Sequence, residues 1–161
     1  MTLKVGDKIP EATLKCLGPD GIVNIEVGKH FSNKKIVLFS VPGAFTPTCS
    51  AKHLPGFVEY SSDILSKGVD EIICISVNDP FVMNAWEKDQ NSKGKVTLLA
   101  DGNGDFTEAL GLSFDGSGFG LGKRGQRFVI IIDKGIIVHL AIEKAGSFEV
   151  SSAESVLKAL S

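Results

Sequence analysis

The chain has 161 residues, with 17 Lys and Arg against 19 Asp and Glu for a formal net charge of −2. That balance excludes nucleic-acid binding driven by bulk basicity, and 43% apolar with 22% charged residues excludes a disordered chain. Three cysteines, Cys16, Cys49 and Cys74, without a C-x-x-C pair exclude a zinc ribbon or a secreted disulfide framework, and leave at least one thiol free.

The first residues, MTLKVGDKIP, have no apolar stretch resembling a signal peptide. No apolar run approaches the roughly 20 residues that cross a bilayer, so a soluble, non-membrane protein of a reducing compartment, most simply the cytoplasm, is expected. Residues 1–161 are read as one domain. Residues 11–27 predict a hairpin, with Thr13 to Leu17 and Ile22 to Val27 flanking the turn signal Pro19-Asp20-Gly21. Ile36 to Val41 is a continuous apolar run, the pattern of a strand covered on both faces. A helix is expected from Pro47 toward Leu65, with Phe57, Tyr60, Ile64 and Leu65 on one side, a kink at Pro55 and a stop at Gly68. Glu71 to Val77 reads as a second buried strand. Asn78 and Asp79 then cap a helix with Pro80 in its first turn and an apolar stripe of Val82, Ala85 and Trp86.

Val96 to Ala100 predicts a third strand and Phe106 to Leu110 a short helix ended by Gly111. Residues 112–126 are Gly-rich and aperiodic, the pattern of a long surface loop. Phe128 to Ile132 and Ile136 to Ile142 flank Asp133-Lys134-Gly135 as a second hairpin. A final helix has capping-box spacing at Ser151 and Glu154 and a stripe of Ala153, Val156, Leu157 and Leu160. Alternating helices and strands with a late hairpin predict an α/β fold with a mixed sheet.

Chemistry concentrates in Pro42-Gly43-Ala44-Phe45-Thr46-Pro47-Thr48-Cys49. This segment leaves a buried strand and opens a helix, where a parallel sheet places its ligands. A helix N-terminus offers unpaired N–H groups and a positive dipole end, which favour a thiolate at Cys49 over an inert thiol. Pro42 and Pro47 stiffen the loop. Thr46 is expected to turn its hydroxyl into the same pocket as a donor.

The string P-x-x-x-T-x-x-C, formed by Pro42, Thr46 and Cys49, resembles the active-site signature of the peroxiredoxins. The runs VPGAFTPTCSAKHLPGF and GVDEIICISVNDPFVMNAW resemble the type II (atypical two-cysteine) branch, closest to its plant-like members. Arg127, in Gln126-Arg127-Phe128, resembles that branch's arginine. The likeness spans essentially the whole chain and implies a thioredoxin-like fold with an N-terminal β-hairpin. It implies a thiol peroxidase with no metal or other cofactor, acting on hydrogen peroxide and alkyl hydroperoxides. Cys49 would then be the peroxidatic cysteine, passing through a sulfenic acid. Thr46 and Arg127 would hold the peroxide oxygens, and Pro42 would shield the pocket.

The resemblance also offers Cys74, in the buried strand IICISV, as a resolving cysteine, against the plainer reading of a small apolar core residue. No cysteine stands in GSFEVSSAES, where animal-like members carry theirs. Glutaredoxin with glutathione, or thioredoxin, would supply electrons as separate partners. Homodimers are implied, with Phe45, Pro80, Phe81 and Phe119 as interface candidates. Cys16 reads as structural. His53, four residues after Cys49, reads as a hydrogen-bonding or packing residue, while His30 and His139 have no metal-ligand spacing. Lys123, Arg124 and Arg127 form a small basic cluster of the kind usually solvated, and Gly122-Lys123-Arg124 fails the phosphate-loop pattern. The competing function is a non-enzymatic redox sensor or interaction protein on the same fold; a cysteine hydrolase ranks behind both.

Overall fold

Three apolar runs become the centre of one sheet in the computed structural model, which describes residues 2–161. Strands β3 (Lys35–Ser40), β4 (Glu71–Ser76) and β5 (Thr97–Ala100) run parallel. On one side the sheet is extended by the antiparallel hairpin β8 (Phe128–Asp133) and β9 (Ile136–Ile142). On the other it is extended by the N-terminal hairpin β1 (Thr13–Gly18) and β2 (Gly21–Glu26). The order is β2-β1-β5-β4-β3-β8-β9. All but the first residue of both β3 and β4 are buried, as their unbroken apolar runs require of strands covered on both faces.

Side-chain alternation divides the core between the two faces of the sheet. Ile36, Leu38, Ile73, Ile75, Ile130 and Ile132 face α1 (Val27–Phe31) and α5 (Asp105–Ala109). Val37, Phe39, Ile72, Cys74, Val129 and Ile131 face the remaining helices and Cys49. Those helices include α4 (Pro80–Gln90), which buries Trp86, and α6 (Ala153–Leu160), which buries Val156. Each large apolar side chain so buried contributes about 1.5–3 kcal/mol. The Phe39 and Phe57 rings stack with centroids 4.0 Å apart.

Several elements differ from the sequence reading. The expected helix from Pro47 to Leu65 is three pieces: a π-helical turn, Cys49–His53, then α2 (Leu54–Glu59) and α3 (Ser61–Leu65). Pro55 has no N–H to return to the Ala51 carbonyl, and the turn before it widens so that the Leu54 N–H reaches Cys49 O five residues back. Tyr60, at φ −97 and ψ 12, breaks the helix again. Phe57 and Ile64 are buried as expected, but Leu65 faces solvent, because the two breaks rotate it off the apolar side. On α4 Pro80, Met83 and Trp86 are buried and Val82 packs half-buried against the core, while Ala85 is exposed. Asp79 alone caps this helix, accepting from the Val82 N–H at 2.8 Å.

Helix α1 follows the first hairpin without a break and has too few residues to show a period. Residues 112–126 are ordered as a two-stranded ribbon, β6 (Ser113–Asp115) against β7 (Lys123–Gly125), closed by a turn of 3-10 helix at Ser117–Phe119. Three-residue strands among glycines leave no alternation to read. Helix α6 is capped by Ser152, which accepts from the Ser155 N–H at 3.2 Å. Ser151 is therefore not the cap; its hydroxyl donates to Glu143 at 2.7 Å.

Candidate active site

The parallel strands β3 and β4 end at one edge of the sheet, and the segment 42–48 crosses that edge to reach Cys49. Four anchors set its path. The Val41 N–H bonds Ile75 O at 3.2 Å. The Pro42 carbonyl accepts from Arg124 Nη1 at 3.1 Å, while Arg124 Nε donates to Leu121 O at 3.0 Å. The Ala44 N–H donates to Asn78 Oδ1 at 2.9 Å, and that oxygen also accepts the Ser76 hydroxyl. Trp86 Nε1 donates to Ser50 Oγ at 3.0 Å, tying α4 to the residue after Cys49. A Cβ at Gly43 would lie 2.5 Å from Arg124 Nη1, so the guanidinium occupies space that only glycine leaves open. Phe45 is held at φ 66, a left-handed conformation uncommon for a bulky residue.

Thr46 differs from expectation in one respect. Its Oγ1 donates to Gly43 O at 2.6 Å, so its one proton is committed to its own loop and the oxygen can meet a ligand only as an acceptor. The Cys49 sulfur is fully buried at the start of the π-helical turn. Arg127, just before β8, brings Nη2 to 3.1 Å from Cys49 Sγ and Nη1 to 2.8 Å from His53 Nδ1. Because a guanidinium only donates, His53 Nδ1 accepts and the ring proton sits on Nε2, which donates to Ser151 O at 2.9 Å. Burial first, and then the Arg127 charge, push the His53 pKa down to about 3, so the ring is neutral at pH 7. Phe39, Phe57 and Phe148 surround the imidazole with centroids 4.7, 5.6 and 4.9 Å away. The Phe148 ring also lies 5.9 Å from the Arg127 guanidinium carbon, within cation–π range.

The sequence candidates therefore separate. Cys49 and Arg127 touch, Thr46 and Pro42 belong to the loop leading to them, and His53 joins the site as a hydrogen-bonding residue. Cys74 is in mid-β4, fully buried on the same face of the sheet as Cys49 and not bonded to it. Burial pushes its thiol well above the usual cysteine value. Cys16 is half-buried on β1 and beside Glu87; burial, with that charge, raises its thiol too.

The basic cluster is not simply solvated: Lys123 pairs with Glu108, Arg124 holds Pro42, and Arg127 holds Cys49. Among the described residues no three His, Cys, Asp or Glu side chains are placed to hold a metal ion, and no helix is long and apolar enough to cross a membrane. Asn78, Trp86, Arg124, Glu143, Phe148 and Ser151 also shape this site. Where local spacing marked any of them, as a cap, a stripe or a cation, it marked another role, because the part each plays here depends on how the chain folds back on itself.

A cysteine under an arginine at the carboxyl edge of such a sheet has close counterparts. Residues 4–157 match the Redoxin family. The chain is 47% identical to peroxiredoxin-2B of Arabidopsis thaliana, covering 98% of both sequences. It is 49% identical to the chloroplastic peroxiredoxin-2E of the same plant, covering 99% of this chain and 70% of that one. The chain is a type II peroxiredoxin. Reduced Prx3 of Vibrio vulnificus, solved in complex with hydrogen peroxide, superposes on this peroxiredoxin with a TM-score of 0.96. It shares 49% identity and covers 99% of this chain and 100% of that one. The fold of this peroxiredoxin is thioredoxin-like with an N-terminal hairpin, and its activity is that of a thiol peroxidase.

Proposed function

We propose that Cys49 is the peroxidatic residue and that hydrogen peroxide and alkyl hydroperoxides are its substrates. The contact between Arg127 Nη2 and Cys49 Sγ carries this reading. The guanidinium holds its N–H against the sulfur, the atom that attacks peroxide as a thiolate. The thiolate attacks the terminal oxygen of the peroxide; an S–O bond forms as the O–O bond breaks. Cys49 becomes a sulfenic acid, and the departing oxygen takes a proton to leave as water or alcohol. Arg127 faces the charge as it moves from sulfur to the leaving oxygen, and the Thr46 oxygen accepts from the peroxide hydroxyl. Pro42 walls the loop beside them. The peroxide complex of the Vibrio relative supports hydrogen peroxide as one substrate.

Recycling is assigned to an external thiol. One thiol condenses with the sulfenic acid, releasing water, and a second attacks the donor sulfur of the resulting mixed disulfide, forming a donor disulfide and releasing the Cys49 thiolate. Glutathione with glutaredoxin, or thioredoxin, has the required chemistry, and a reducing compartment such as the cytosol supplies them. Cys74 is the weaker resolver, since its thiol is fully buried in mid-strand and burial holds it well above the usual cysteine range, away from the thiolate form that attacks.

Peroxide consumption with a thiol donor tests the assignment. Cys49→Ser is expected to lose all turnover and Cys74→Ser to keep it with glutaredoxin and glutathione. Full activity of Cys49→Ser would overturn the reading. A homodimer is proposed through Phe45, Phe81 and Phe119, which are 51, 61 and 85% exposed. Pro80, expected at the same surface, is buried at the start of α4 and takes no part in it. Light scattering that shows only monomer at high concentration would remove the dimer.

A further inference from the structure

The peroxidase chemistry uses Cys49, Thr46 and Arg127, yet the most heavily hydrogen-bonded carboxylate at this end of the molecule is Glu143. It follows β9 directly and is 7% exposed. One oxygen, Oε2, accepts four hydrogen bonds: from the N–H groups of Glu149, Val150 and Ser151, each at 2.8 Å, and from Ser151 Oγ at 2.7 Å. The segment 144–152 is thereby drawn into a strap around this carboxylate. The strap presents the Ser151 carbonyl to His53 Nε2 and the Phe148 ring to both His53 and Arg127. The backbone of Glu143 acts at the other end of the same arginine, its N–H donating to Arg127 O at 2.9 Å.

We propose that Glu143 is a positioning residue for the peroxidase reaction, holding Arg127 against Cys49 from both ends through a closed ring of hydrogen bonds. The ring runs from the Glu143 carboxylate to the Ser151 backbone, from Ser151 O to His53 Nε2–H, from His53 Nδ1 to Arg127 Nη1, and from Arg127 O back to the Glu143 N–H. The Ser151 carbonyl can only accept, so it fixes the proton on His53 Nε2 and leaves Nδ1 as an acceptor. Were the strap to move, Nδ1 could carry the proton and would face a guanidinium N–H with no lone pair. Arg127 would then lose one of the two bonds that aim its fork at sulfur. Hydrogen bonds to the ionised carboxylate outweigh its burial and hold Glu143 below the usual glutamate range, in agreement with its four donors.

The inference rests on Cys49 as the attacking residue. Its test is built to fail separately from that assignment. Nitrogen NMR of the His53 ring in the wild-type protein is expected to show a neutral imidazole protonated at Nε2. A proton on Nδ1 overturns the ring whatever Cys49 does. Glu143→Gln keeps the shape and removes the charge. It is expected to lower kcat/KM for hydrogen peroxide by about tenfold to a hundredfold, as a shift of an ångström in a catalytic group does. The rate of Cys49 alkylation by iodoacetamide at pH 7 should fall in parallel, with the reductant KM unchanged.

Ser155→Ala removes a different tie of the strap, the 2.8 Å bond from Ser155 Oγ to Glu149 O, and is expected to leave all three measurements at wild-type values. A folded Glu143→Gln protein within twofold of wild type in kcat/KM overturns the proposal. So does a loss in Ser155→Ala equal to that in Glu143→Gln, which would mean general loosening. If Glu143→Gln does not fold, Glu143→Asp, which keeps the charge but shortens its reach, is measured against the same limits. Loss of peroxide turnover in Cys49→Ser is a separate result bearing on the attacking residue alone.

Discussion

A threonine hydroxyl has one proton to give, and Thr46 gives it to the Gly43 carbonyl 2.6 Å away. That bond closes the turn and points the oxygen's lone pairs outward, which suits the hydroxyl hydrogen of a peroxide. Thr46→Val keeps the size but removes acceptor and donor together. It is expected to cost about a hundredfold in kcat/KM for hydrogen peroxide, the scale of a lost transition-state hydrogen bond. Thr46→Ser, which keeps the oxygen, should stay within about tenfold, measured by stopped-flow with the same peroxide. The motif sets Thr46 three residues before Cys49, but the direction of its hydroxyl depends on a carbonyl whose orientation no residue letter encodes. Arg124 shows the same limit. Its sequence neighbours suggest a solvated cation, whereas its guanidinium lies in the space left by a glycine 81 positions earlier in the chain.

At the scale of elements, the path of the loop depends on β4 as much as on its own prolines. Asn78, in the turn between β4 and α4, accepts both the Ala44 N–H and the Ser76 hydroxyl on one oxygen. Asn78→Ala leaves that buried N–H without a partner and is expected to lower stability by roughly 1–3 kcal/mol. A lower urea midpoint with an unchanged m-value would show it. The π-helical turn at Cys49–His53 is likewise an element-level outcome. Pro55 marked a kink in the sequence, and the missing N–H took the form of a widened turn, which places Cys49 and His53 where Arg127 can reach both. Long periodic segments were legible: both hairpins, the three parallel strands, α4 and α6 occur within a few residues of expectation. The three-residue strands β6 and β7 and the five-residue α1 were not, because so few residues set no period; α5, equally short, was marked by its stop at Gly111.

For the whole molecule, burying a neutral histidine ties stability to pH. The unfolded chain binds a proton at His53 near the usual value of 6.5 and the folded chain only near 3. Between these values the unfolded state holds more protons, so stability falls as pH is lowered through this window. The loss by pH 5 is about 2 kcal/mol relative to pH 7.5. Urea unfolding across that range should show it in the wild type and a flatter profile in His53→Gln. Glu143 acts lower: its depressed pKa gives stability that is full above the ordinary glutamate value and lost as pH falls through the folded one.

The sequence by itself determined the fold class, the succession of strands and helices along the chain, and the placement of a cysteine at the start of a helix after a buried strand. Periodicity and short motifs are local properties, carried by neighbours in the chain. Only the tertiary structure decided how Arg127 meets that sulfur, which way the Thr46 and His53 protons point, and that the segment 144–152 closes around Glu143. The Arg127 and His53 contacts span 78, 74 and 98 positions of sequence, and even the short-range bond of Thr46 has its direction set by packing and not by spacing.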